Sequence, residues 1–471
     1  MSQTPTFTLS VRATIDPKIT SLGRVLSIIG DNGADVAATD FVRSSTAGAT
    51  RDITVLVRDA DHGDELVATL RALDGVTIAW ALDRVTQSHV GGKMTMRNRA
   101  PLTSRDDLSM AYTPGVARVC MAIHHDPERT WDLTIRGNSV AVITDGSSVV
   151  GQGDLGPLAA LPAAEAKCMF LREMAGIDGF PLPLDVREAD RIAFVVEKIT
   201  SVFAGVHITD MAAPKCFEVQ RLLNDALDIP VIHDVQEGTA AAVLAGLTNG
   251  LRLAGKSPTD ATVVVAGLGP SGVCTARLLA VAGFGNVIAA NRDGAISGDD
   301  FQERPELAWI ARNTNPEGRT GSLSDVIAGA DAIVGLTRPG VITPKDVASM
   351  ATNPIVFSLA MPDPDISRDE ALGAGAFIYA SGRPELPNQI TSGVAFPGIW
   401  RGALDCRATA IDDAMVLAAA RAIAETSAEG AAPDYVVPSV FNAELVPNVA
   451  RAVRAAAQAS GLARVVDGTA A

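Results

Sequence analysis

Apolar and polar residues alternate along FTLSVRAT from residue 7, and the same two-residue period recurs in DVAATDFVRS, TRDITVLVRD and VTIAWALDRV. Between these stretches, ITSLGRVLSIIGDNG and DELVATLRALDG space their apolar residues as helices do, and each closes on a glycine. Residues 6 to 86 therefore read β-α-β-β-α-β, the ferredoxin-like order. A basic, glycine-containing joint follows, HVGGKMTMRNRAP. From about residue 100 to 250 the pattern is mostly helical, with short apolar strands in SVAVITDG and IPVIHD. From about 260 to 400, the strands ATVVVAGLG, NVIAANRD, DAIVGLT, PIVFSLA and AFIYASG alternate with helical segments, the spacing of a doubly wound parallel sheet. The last sixty residues are helical apart from a break at PDYVVPSVF. The predicted class is α/β: a ferredoxin-like module over 1–88, a mixed α/β domain over 89–250, a Rossmann-type doubly wound domain over 251–440, and C-terminal helices over 441–471 that pack back on the mixed α/β domain.

The clearest motif is VVVAGLGPSGVCTARLL. A short apolar strand runs into Gly267, Gly269 and Gly272, a GxGxxG loop, and then into a helix. The first glycine permits the tight turn, the second lets the backbone approach a pyrophosphate, and the third lets helix and strand pack closely. The next strand ends at Asn291 and Arg292. An acid there would hold the ribose 2′-hydroxyl and repel a 2′-phosphate. Its replacement by an amide and a cation leaves both NAD and NADP open as cofactors.

Composition narrows the partners. With 39 Lys and Arg against 54 Asp and Glu, the net charge is −15 and the pI is near 4.9. Neither nucleic acid nor an anionic membrane suits such a surface. Five scattered cysteines with no CxxC fit a reducing cytoplasm, and MSQTPTFTLS has neither the basic start nor the apolar run of a secretory signal. The longest apolar region, residues 261 to 290, is broken by glycines, Pro270 and Arg277, so it reads as a buried strand and helix.

The N-terminal module resembles an ACT domain, which implies a small-molecule effector at a paired interface or a docking role without ligand. The segments DDLSMAYTPGVARVC, SVAVITDGSSVVGQGDLGPLAALPAAEAKCMF, AGIDGFPLPLD, APKCFE, DIPVIHDVQEGTA and PNQITSGVAFPGIWRGALD together resemble the bacterial malic enzymes over residues 90 to 460. That resemblance implies oxidation of malate by NAD or NADP, metal-assisted decarboxylation to pyruvate, and a homodimer or higher homo-oligomer. It implies Tyr112 as general acid, Lys167 as base, and Asp234 as the acid paired with that lysine. A lysine base must lose its proton near neutrality, and the apolar company of Ala166, Cys168 and Met169 would lower its pKa by burial.

Several positions depart from the family pattern. Its Mg2+ or Mn2+ is held by an adjacent Glu-Asp pair and by the second Asp of an HDDQ segment. Here Thr209 stands in the glutamate position, Val235 in that of the second aspartate, and only Asp210 remains. Glu237, where many relatives carry a histidine, is a possible substitute ligand or an acid stabilising a helix N-terminus. In the substrate pocket, Met361 replaces an asparagine, and Thr391 and Ser392 replace a pair of asparagines. Asn388, Gln389 and the loop of Gly151, Gly153, Asp154 and Gly156 are kept, while His207 replaces a usual asparagine. Three readings are open at this point: a malic enzyme with a rebuilt metal site, an oxidoreductase acting on another 2-hydroxy acid without metal, and a non-catalytic relative.

Overall fold

The computed structural model describes residues 8–298, 301 and 303–465. Phe7, at the head of the expected first strand, and residues 466–471, at the end of the expected C-terminal segment, lie outside the described residues. The chain divides into two compact units, Met1–Thr95 and Met96–Ala471.

In the first unit the order is β1 (Thr8–Ile15), α1 (Leu22–Asp31), β2 (Asp35–Ser45), β3 (Gly48–Leu56), α2 (Ala60–Arg71) and β4 (Val76–Asp83), followed by the short α3 (Arg84–His89). The strands form an antiparallel sheet in the order β2-β3-β1-β4. Period-two alternation puts Val11, Ala13, Ile15, Ile53 and Val55 on one face, against Val25, Ile29, Leu66 and Leu70 of the helices. Each such large side chain stabilises by about 1.5–3 kcal/mol when fully buried. Ser21 and Asp59 accept from the backbone N–H of Arg24 and His62 and so fix where α1 and α2 begin.

The second unit opens with α4 (Arg105–Ala111), α5 (Gly115–His125) and the single turn α6 (Thr130–Leu133). A four-stranded parallel sheet follows, made of β5 (Ser139–Thr144), β6 (Asp178–Pro183), β7 (Gly205–Ile208) and β8 (Val231–His233). The spatial order is β6-β5-β7-β8, and α7 (Gly156–Ala175), α8 (Ala189–Ile199) and α9 (Lys215–Ala226) make the crossovers. The periodicity of this region predicts mostly helix, and β6 and β7 are departures from it. β6 carries Pro181 and Pro183, which a central strand rejects, and it lies at the sheet edge where a missing N–H is tolerated. β7 is four residues long and buried on both faces, so it shows no alternation.

β8 runs into a π-helical turn, Asp234–Gly238, and then α10 (Thr239–Ala254). The second sheet is built from β9 (Thr262–Ala266), α11 (Pro270–Val281), β10 (Asn286–Asn291), β11 (Gly294–Ala295), α12 (Pro305–Asn313), α13 (Leu323–Ile327), β12 (Ala332–Gly335), α14 (Pro344–Ala348), β13 (Ile355–Ser358), α15 (Arg368–Gly373) and β14 (Ile378–Ser381). Its order is β11-β10-β9-β12-β13-β14, parallel except for the antiparallel edge strand β11. The chain steps outward from β9 to β10 and then returns to place β12 on the other side of β9. That reversal opens a crevice at the strand C-termini, where such sheets bind nucleotides.

Three helices close the chain: α16 (Phe396–Asp405), α17 (Asp413–Ser427) and α18 (Leu445–Ala459). α16 and α18 approach closely because Gly398 and Gly402 have no side chains. A Cβ at either position would lie 2.5 Å from Val449 Cβ or the Ala450 carbonyl oxygen. No helix among the described residues is long and apolar enough to cross a membrane.

Candidate active site

Three parallel strands of the first sheet end in acids. β5 is followed by Asp145, β7 by Thr209 and Asp210, and β8 by Asp234. Parallel strands project their following residues from the same edge, so these groups converge there. α7 supplies Lys167, whose Nζ lies 2.5 Å from Asp234 Oδ2. Asp234 has no solvent exposure, while the lysine side chain keeps 25% of its own. Ser392 Oγ also donates to Asp234 Oδ2, at 3.3 Å. It gets that close because Gly238 has no Cβ, which would meet Ser392 Cβ at 2.9 Å.

Burial favours the neutral amine of Lys167, but the Asp234 carboxylate, with Asp210 further off, outweighs it and raises the lysine pKa. The sequence expectation of a lysine lowered by burial is therefore corrected: its counter-charge wins over its apolar flanks. Burial likewise opposes ionisation of Asp234, yet the Lys167 ammonium and the neighbouring histidines hold that carboxyl far below its usual range. Asp210 is the reverse case. Burial raises its pKa, although Val150 N–H donates to it at 3.1 Å. Both Val150 and Asp210 sit in the left-handed region, at φ 44° and 51°, which is strained for residues with side chains.

The donor set does not fit a hard divalent cation. Thr209 is fully buried beside Asp210, and the Val235 side chain offers no oxygen. Asp234 is engaged by Lys167 and Ser392. Glu237 faces elsewhere: it accepts from Gln220 Nε2 at 2.6 Å and from His233 N–H at 3.0 Å, and burial pushes its carboxyl up to about 7. Among the described residues, no three His, Cys, Asp or Glu side chains are grouped to hold a metal. One carboxylate and one hydroxyl fall short of the oxygen cage such ions need.

Tyr112 ends α4 and is 66% exposed, with no side-chain hydrogen bond to the Lys167–Asp234 pair. Met361 is half exposed, and its carbonyl oxygen lies against Gly151, where a Cβ would come within 2.5 Å. Thr391 Oγ1 caps its own turn by accepting from Gly393 N–H. Asn388 is buried at φ 56°, donates to the carbonyls of Tyr379 and Pro433, and accepts from Val436 N–H. Its amide is thus fully used in holding the chain, which leaves no donor for a substrate. Asp154 in the glycine loop pairs with Arg187 at 3.0 Å.

Sequence reasoning passed over Lys215 and Asp145, which form a second ion pair at the same edge, with Asp145 also held by Ser147 Oγ at 2.7 Å. The signal was present in an acid directly after SVAVIT, a strand whose four central residues are apolar. The Phe396 ring packs edge-on to His207, with centroids 5.1 Å apart, and its centroid lies 5.5 Å from Lys167 Nζ.

The second sheet carries the dinucleotide loop. Gly267 has φ 94° and packs on the Leu336 carbonyl after β12. Gly272 faces the Gly267 carbonyl, where a Cβ would stand 1.8 Å away. Nothing lies within 4 Å of a Cβ at Gly269, which leaves its backbone open to a phosphate at the N-terminus of α11. At the end of β10, Asn291 Oδ1 accepts from Asp293 N–H and Arg292 is exposed. α11 also packs against the π-helical turn, so the cofactor helix and the Asp234 segment are direct neighbours.

Comparison with known proteins agrees with this architecture. The description "Malic enzyme, N-terminal domain" matches residues 92–224, and "Malic enzyme, NAD binding domain" matches residues 236–458. An NAD-dependent malic enzyme of Geobacillus stearothermophilus is 43% identical over 457 residues, covering 97% of this chain and 95% of that protein. A bifunctional malic/malolactic enzyme of Bacillus subtilis is 41% identical over 380 residues, covering 79% of this chain and 92% of that protein. The crystal structure of a malic enzyme from Pyrococcus horikoshii superposes with a TM-score of 0.77 at 40% identity, covering 80% of this chain and 89% of that one. With both halves of the large unit matched and a relative 43% identical over nearly the whole chain, the chain belongs to the malic enzyme family.

Proposed function

We propose that the protein oxidises malate, or a closely related 2-hydroxy acid, with NAD or NADP, and decarboxylates it to pyruvate or the corresponding keto acid. The observation that carries this reading is the Lys167–Asp234 pair at the sheet edge, with Asp234 on the turn that packs against the cofactor helix. Lys167 takes the proton of the C2 hydroxyl as hydride leaves C2 for the nicotinamide. The resulting ammonium, held by Asp234, then faces the negative charge that develops on the C2 oxygen when CO2 departs. Tyr112 returns a proton to C3. These residues carry the proton transfers without a divalent cation, which the donor set does not fit.

Two features support a homo-oligomer, at least a dimer. α4 and α5 bury none of their own residues, and they leave Leu108, Met110, Val116, Val119 and Met121 exposed around Tyr112. A second copy of the chain over this face would dry the tyrosine. The N-terminal unit is read as a ferredoxin-like, ACT-like regulatory module. Its element order and its long exposed edge strand β2, which carries Phe41 and Val42 outward, suit pairing of two sheets around a small effector.

The test is nicotinamide reduction with L-malate and NAD or NADP, run with Mn2+ and with a chelator, and with Lys167→Ala as control. Loss of turnover in that variant is expected. A protein that binds cofactor but turns over no malate would remove malate as substrate. Thr209, Val235 and Met361 favour a second reading, metal-free oxidation of another 2-hydroxy acid, and the same assay with other acids decides it.

A further inference from the structure

His207 lies in the centre of β7 and is fully buried. Trp400 Nε1 is 3.0 Å from its Nδ1. An indole N–H only donates, so Nδ1 is the acceptor and the ring proton sits on Nε2. That nitrogen has no hydrogen-bond partner, and neither has Asp234 Oδ1, yet the two face each other at 3.8 Å. The approach of Trp400 depends on Gly205, two residues upstream, where a Cβ would strike the indole at 2.2 Å. Phe396, one turn before Trp400 on α16, fixes the imidazole from its edge.

We propose that His207 is a positioning residue for the proton-transfer pair, its Nε2–H set by Trp400 to hold Oδ1 of Asp234, the oxygen that Lys167 and Ser392 leave free. The need for it arises from the chemistry. When Lys167 is neutral and ready to accept a proton, Asp234 keeps its charge in a dry cavity without its cation. Ser392 Oγ then remains on Oδ2 alone, at 3.3 Å, and a buried carboxylate with its other oxygen bare is costly enough to keep the lysine protonated. Closing from 3.8 Å into the ordinary range of about 2.7–3.2 Å gives Oδ1 that donor. The other charged groups facing this cavity are Asp210, which is negative when ionised, and His233, which burial pushes down to about 4 and so leaves neutral. Neither supplies a proton to Oδ1.

The kinetic half of the test rests on the function proposed above, and the spectroscopic half does not. The full-length protein is labelled with 15N-histidine, and His207, one of six histidines, is assigned by its absence from His207→Leu. A ring protonated on Nε2 and bare on Nδ1 is expected at neutral pH. A proton on Nδ1 overturns the proposal, whether or not malate is turned over. In malate oxidation, His207→Leu should lower kcat by roughly 10- to 100-fold, the range for losing such a supporting partner. It should also move the pH profile upward by about half a unit or more, because both Asp234 and Lys167 then hold their protons more tightly. His207→Gln, which restores an N–H donor with reach, should recover part of both effects. A His207→Leu profile that overlays the parent overturns the proposal. If neither cofactor is reduced by the parent protein, the function reading fails and the nitrogen spectrum alone decides.

Discussion

Lys167 Nζ stands 2.5 Å from a carboxylate oxygen of Asp234 that water does not reach. Such a pair stabilises only as a pair. Lys167→Met or Asp234→Asn alone should destabilise by about 3–5 kcal/mol, because each strands a buried charge or its donors. The double variant should cost less than the sum of the two. Denaturant melts of the four proteins form the cycle, and additive losses would refute the coupling.

The pair also sets a pH window. The raised Lys167 pKa contributes stability that is present below its unfolded value and lost as pH rises through its folded one. The depressed Asp234 pKa contributes stability that is present above its unfolded value and lost as pH falls through its folded one. Between roughly 3.9 and 10.4, the two unfolded values, both contributions hold. Turnover, which needs the neutral amine, should therefore climb with pH through the alkaline range. Asp234→Asn should bring that rise to lower pH, and a pH–rate profile that does not move would contradict the assignment of Lys167 as base.

Glu237 works in the opposite direction. Its folded pKa of about 7 exceeds the ordinary 4.5, because burial disfavours the anion. Between those values the folded state holds the proton more tightly, so stability falls as pH rises, by up to about 3 kcal/mol. Glu237→Gln keeps an acceptor for His233 N–H and carries no charge. It should flatten the melting temperature between about pH 5 and 7 and raise it at pH 8. An unchanged slope would place the titration elsewhere.

The donor set predicts weak metal dependence. Chelation should change malate turnover by less than about tenfold, and Mn2+ titration followed by electron paramagnetic resonance should show no tight site. Installing Thr209→Glu together with Val235→Asp should create one. Tight Mn2+ binding by the parent chain would reveal a ligand beyond those identified.

In the cofactor loop, Gly272→Ala puts a methyl 1.8 Å from the Gly267 carbonyl and should abolish NAD and NADP binding alike. Arg292→Ser should weaken only NADP, through its 2′-phosphate. Calorimetric titration of both cofactors separates the two cases.

What the sequence disclosed depended on how local the signal was. β9, the glycine loop and α11 form one continuous stretch, and Gly267 and Gly272 each have a steric reason to be there, so that site was readable. β6 was masked by its prolines and β7 by its brevity. The Lys167–Asp234 pair joins residues far apart in the chain and entered the reading only through family motifs. The direction of the lysine's pKa could not be read from its apolar flanks, because the deciding charge comes from another strand. The contact of Trp400 with His207 spans 193 positions, and no periodicity announces it.

The π-helical turn has a consequence for which changes this protein can tolerate. In an α-helix, residues three apart lie on one face, and Asp234 and Glu237 would share a cavity. The wider i→i+5 turn rotates them to different partners, one toward Lys167 and one toward Gln220. The segment is thus a spacer that keeps two buried acids from repelling each other, and it does so by residue count rather than by side-chain identity. Deleting a single residue here would bring those acids face to face and swing the proton station off its lysine, a double injury that no point substitution in the turn would cause.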